Sequence, residues 1–145
     1  MVYDAFFISP DGEIVGVPNR HVLLISQEPE TFGLTSGEIE KVYKKHKETV
    51  GWEGYARNEI ILGLLKKNWI RLRFEPISGT WGIQIFEEPN ETLLRNIGVF
   101  LAMARKGDVK SQWKRKGLPN IAIRDTRGNV YVNGTLKDAV KFCEG

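Results

Sequence analysis

The chain has 145 residues, 41% of them apolar and 27% charged, with a net charge of +3 and a single cysteine, Cys143. That length and apolar share suffice for one domain with a buried core and argue against a disordered chain; no apolar run approaches the ~20 residues that span a bilayer. One cysteine excludes an intrachain disulfide, and Asp4 ahead of a short apolar start is the wrong charge pattern for a secretory leader. A reducing, cytoplasmic setting without membrane attachment is therefore expected.

In chain order, Ser9-Pro10-Asp11-Gly12 separates two short apolar runs and predicts a β-hairpin over about 6–17. A short helix is expected over 20–27, stopped by Pro29. Thr35-Ser36-Gly37-Glu38 has capping-box spacing, and Ile39, Val42, Tyr43 and His46 follow on one helical face, so a helix covers 36–47. After Gly51, an apolar-rich helix covers 53–67. The period then switches to two. Ile70, Leu72 and Phe74 alternate with Trp69, Arg71 and Arg73, and Trp81, Ile83 and Ile85 alternate with Gln84 and Phe86, giving a hairpin over 69–86.

Asn90 is a good N-cap for a helix over 90–105, with Leu93, Ile97, Phe100 and Leu101 in its apolar stripe. A third hairpin is expected over 121–132, then a helix over 135–143 that turns Cys143 inward. The whole reads as a single α+β domain over residues 1–145, with three hairpins and five helices. Residues 6–25 and 121–142 share the order strand, glycine turn, strand, helix, with too little identity for a duplication.

Motif chemistry excludes more than it supplies. Two distant histidines and one cysteine give no metal cluster, so His21 and His46 read as structural and no metal or cofactor is expected. Gly51-Trp52-Glu53-Gly54 lacks the lysine and spacing of a phosphate loop. Adjacent Glu87 and Glu88 point apart at a strand end, and Cys143 lies inward where a thiol is inert. The Asn90 and Asn133 glycosylation sequons read as helix-start and turn chemistry. Nothing positive marks an enzyme.

Charge distribution is more telling. Residues 105–116 carry six cations against Asp108, a local +5 that leaves −2 for the rest of the chain. Within that stretch Lys110, Lys114, Arg115 and Lys116 surround Trp113, a pattern suited to tracking a phosphate backbone. On the hairpin, Trp69, Arg71, Arg73, Gln84 and Phe86 share the less apolar face. They either display stacking rings and phosphate-binding arginines or pack beneath a helix.

Residues 36–86, helix, turn, helix and hairpin, with the junction Lys66-Lys67-Asn68-Trp69-Ile70-Arg71, resemble a winged-helix domain over about a third of the chain. The resemblance implies a second helix in the major groove and the hairpin as a wing beside it. Against that, helix 53–67 is apolar round more than half its circumference, its remaining arc being Tyr55, Glu59, Gly63 and Lys66. That composition is a core helix's. Three functions stay open: DNA or RNA binding through the basic and aromatic surface, a protein partner anchored by Trp52, Trp69 and Trp113, or a small anionic ligand at Arg57.

Overall fold

The structure is a computed structural model that describes residues 5–17, 29–75, 78–106 and 120–145. Within them lie strands β1 (Ala5–Ile8), β2 (Ile14–Val17), β3 (Ile70–Glu75), β4 (Thr80–Ile85), β5 (Asn120–Asp125) and β6 (Val130–Thr135). The helices are α1 (Ser36–His46), α2 (Trp52–Lys66), α3 (Glu91–Lys106) and α4 (Leu136–Cys143), with a short 3-10 turn at Pro29–Phe32. The helix expected over 20–27 lies outside the described residues. No helix among the described residues is long and apolar enough to cross a membrane.

All three hairpins form, and they join into one six-stranded sheet of order β2-β1-β3-β4-β5-β6. Every pairing is antiparallel except β4 with β5, which run parallel. Parallel neighbours need a long crossover, and the segment containing α3 supplies it. The architecture is α+β, with helices on both faces of the sheet.

Local chemistry explains the helix limits. Thr35 Oγ1 accepts from the Glu38 N–H at 3.1 Å while Glu38 Oε1 accepts from the Thr35 N–H at 3.1 Å. Thr135 and Asp138 repeat this box at α4. Asn90 Oδ1 accepts from the Leu93 N–H at 2.9 Å and starts α3. The end of α2 is a Schellman stop: Asn68 has φ 68°, its N–H reaches Leu65 O, and the Trp69 N–H reaches Leu64 O. Asparagine tolerates that left-handed geometry better than most residues. Lys66-Lys67-Asn68-Trp69 is thus a helix terminator whose tryptophan folds back onto Leu64, both buried in one cluster.

Alternation on the strands divides the sheet into two faces. One face carries Phe6, Ile8, Ile70, Leu72, Trp81, Ile83, Ile85, Ile121 and Ile123, covered by Leu93, Ile97, Phe100 and Leu101 of α3 and by Leu136 and Ala139 of α4. The opposite face is covered at the β1 end, where Phe7 and Trp69 meet Phe32, Leu34, Ile39, Ile60, Ile61, Leu64 and Leu65. Asn96 of α3 is buried and donates through Nδ2 to Ser9 O at 3.2 Å and Pro10 O at 3.1 Å, pinning the first hairpin turn to the helix.

These placements correct the winged-helix expectation. The β3–β4 hairpin has β1 along one edge and β5 along the other, so it is the middle of a sheet and not a projecting wing. The second helix buries Ala56, Ile60, Ile61, Leu64 and Leu65, as its composition implies for a core helix.

The third hairpin turns on Asp125, which is buried. Its Oδ1 accepts from the Arg127 and Asn129 N–H groups, and its Oδ2 from Asn129 Nδ2 at 2.9 Å and the Tyr131 hydroxyl at 2.8 Å. Burial alone would raise the pKa of this carboxyl, but the hydrogen bonds from Asn129, Tyr131 and the two backbone N–H groups outweigh it and hold it at about 2. The folded pKa therefore lies below the unfolded value of about 3.9. The carboxylate contributes stability above that value and loses it as pH falls towards about 2. Urea midpoints measured for the wild type and Asp125→Asn through this pH range should converge at the acid end, the wild type falling the more steeply. Curves that stay parallel would contradict this role.

Candidate nucleic-acid interface

Among the described residues the helices cover only part of the sheet's second face, and the β3–β6 half forms a concavity of about 590 Å³. Register decides which side chains meet there. Arg71 lies opposite Gln84, and Gln84 is beside Arg124, so the three form a row across β3, β4 and β5. The next row runs Arg73, Gly82, Ala122 and Asn133. Beyond it are Glu75, Thr80 and Asn120.

The arginines differ in environment. Arg73 and Arg124 are exposed, and neither has a carboxylate partner among the described residues. Arg71 is largely buried, and burial first, then the charges of Arg73 and Arg57, bring its pKa down to about 10. It remains cationic at neutral pH. The charge of Arg57 on α2 acts on Arg71, although Arg57 does not line the concavity. Like charges gathered on a concave, partly desolvated surface favour an anion, which lowers their mutual repulsion.

The acidic residues lining the concavity are Glu75 and Asp125. Asp125 gives its carboxylate oxygens to neutral donors of the hairpin turn and keeps its negative charge at this end of the concavity. Glu75 stands at the end of β3, on the far row from Arg71 and Arg124.

The residues expected to act are distributed unevenly. Arg71 and Arg73 line the concavity, whereas Arg57, read from the sequence as a separate ligand candidate, does not. Trp69 does not join them: it is 4% exposed, lodged beside Phe32 with ring centroids 5.6 Å apart. A residue one position before β3 follows the helix stop into the core, so neither stacking on a base nor anchoring a partner is open to it. Phe86 is half-buried, with Lys66 Nζ 5.7 Å from its ring centroid. Trp52 is half-buried against Tyr43. Lys110, Trp113, Lys114, Arg115 and Lys116 lie outside the described residues.

Sequence reading missed Arg124, Ala122 and Asn133, and gave Gly82 no role. Alternation along Asn120–Asp125 puts Arg124 on the face opposite Ile123, but only the parallel β4–β5 register places it beside Gln84. No local signal announces that pairing. Cys143 is half-buried on α4, where burial first and then the neighbouring Glu144 push its thiol up to about 11. It is a poor nucleophile and lies away from this face. No family model, curated protein or solved structure gives a significant match to the chain.

Proposed function

We propose that the protein binds nucleic acid, with Arg71, Arg73 and Arg124 contacting the sugar-phosphate backbone across the open half of the sheet. The observation that carries this reading is the convergence of Arg71 and Arg73 from β3 and Arg124 from β5 on one concavity. Guanidinium groups present forked donors that match phosphate oxygens, so such a cluster suits phosphate better than the point charge of lysine would. The cationic segment 105–116 runs just ahead of Asn120 in sequence, and Asn120 begins the strand that carries Arg124. Lys110, Lys114, Arg115 and Lys116 of that segment are further candidate phosphate contacts in this reading. A cytoplasmic setting, with access to RNA or DNA, goes with it.

The second helix of the expected winged-helix pair, α2, buries its apolar residues against the sheet and is not placed as a recognition helix for base edges in a groove. Binding is therefore carried by the backbone and is salt-sensitive. Fluorescence-anisotropy titrations of the whole chain with labelled RNA and DNA, from about 50 to 200 mM salt, test this. Three to four phosphate contacts give a log-log slope of about −3. Binding that ignores salt, or no binding at low salt, rejects the reading.

A further inference from the structure

Gly82 occupies the middle of a central strand, where glycine costs about 0.5–1 kcal/mol relative to alanine. Its backbone needs no left-handed torsion, since the positive-φ glycines among the described residues lie elsewhere. Nor does crowding require it. A Cβ added there meets only the Arg73 carbonyl oxygen, at 3.7 Å, an ordinary contact. An interior strand glycine with neither reason commonly marks a close approach to the backbone from outside.

The register shows what approaches. Gly82 is paired with Ala122, so the two smallest side chains on this face adjoin and make a flat floor about one strand spacing wide. Arg73 and Asn133 stand at the two ends of that row. Gln84 and Arg124 form one side, and Thr80 and Asn120 the other. The surround therefore combines guanidinium groups with side-chain amides that both donate and accept.

Resting on the nucleic-acid reading above, we infer that the Gly82–Ala122 floor seats the base of an unpaired nucleotide, its edge meeting Gln84 and Asn133 while Arg73 and Arg124 hold the flanking phosphates. A planar base needs a smooth floor that admits close contact, and amide side chains suit its mixed donor and acceptor edge. In a duplex the base faces are already stacked and the edges paired, so no base is free to lie on the floor. The ligand class is thus single-stranded RNA or DNA, or a single-stranded region within a longer molecule.

The test uses the full chain with single strands of about 12 nucleotides and duplexes of the same length and sequence. The wild type should prefer single strands by at least about tenfold, near the value of one good hydrogen-bonded contact to a base edge. Gly82→Val fills the floor from β4 and suits a strand, while Ala122→Val fills it from β5, so failure of one variant to fold leaves the other. Each folded filler variant should bring the preference close to one. A preference that survives both substitutions overturns the inference. The parent reading fails separately, if Arg73→Ala and Arg124→Ala leave affinity for both nucleic-acid forms unchanged.

Discussion

Replacing Trp81 by alanine is expected to cost about 3–5 kcal/mol, the largest stability loss from any single side chain in the sheet. The indole is 1% exposed and stands between rings from three elements. Phe6 of β1 meets it edge-on at 6.5 Å, Phe74 of β3 at 4.9 Å and Phe100 of α3 edge-on at 5.3 Å. The substitution therefore removes buried apolar area and aromatic pairs worth about 0.5–1.5 kcal/mol each. It also leaves a cavity that the surrounding strands can close only in part, because they are fixed by their ladders. Against a total of about 5–15 kcal/mol for a domain, the loss approaches global unfolding. Urea denaturation followed by far-UV circular dichroism measures it, with Trp81→Phe as the milder comparison. A loss below about 1 kcal/mol would mean that this cluster is not the centre of the core.

The sequence reading and the structure agree where local chemistry decides. The capping boxes at Thr35 and Thr135 and the Asn90 cap set helix starts within a residue or so of those expected. Alternation in Ile70-Arg71-Leu72-Arg73-Phe74 separates the two faces of β3, and burial follows it. What local chemistry could not supply was the neighbour of each hairpin. The central position of β3–β4 depends on β1 pairing across more than sixty residues of chain and on β5 pairing in parallel beyond α3.

For that reason the site was legible only in fragments. Arg71 and Arg73 were visible as outward members of an alternating strand, and Arg57 as a cation near the apolar arc of its helix. The charge of Arg57 acts on Arg71 because α2 lies on the same face of the sheet as β3's arginines. Trp69 shows the opposite case. Its parity along the strand agrees with display beside Arg71, yet the Schellman turn at Asn68 carries it under α2. Parity assigns a face, whereas burial depends on which part of that face a helix covers.

The second large effect concerns binding. Arg73 and Arg124 are exposed and stand on different strands, so reversing their charge disturbs neither core cluster. Each substitution removes a charge-assisted hydrogen bond worth about 1.5–3 kcal/mol and adds repulsion against phosphate. Together Arg73→Glu and Arg124→Glu should weaken nucleic-acid binding by at least about a hundredfold at low salt, with the unfolding midpoint little changed. Arg71→Glu is a poorer probe, since burying a carboxylate at its position would destabilise the fold as well.

The direct measurement is the salt dependence of binding for the wild type and this double variant, determined side by side on the same single-stranded oligonucleotide. With two fewer arginines on the phosphates of a single strand, the log-log slope should flatten by about 1.4, in step with the fall in affinity. An unchanged slope and affinity in a folded double variant would contradict the account, because nucleic acid would then bind elsewhere than on the arginine-bearing half of the sheet.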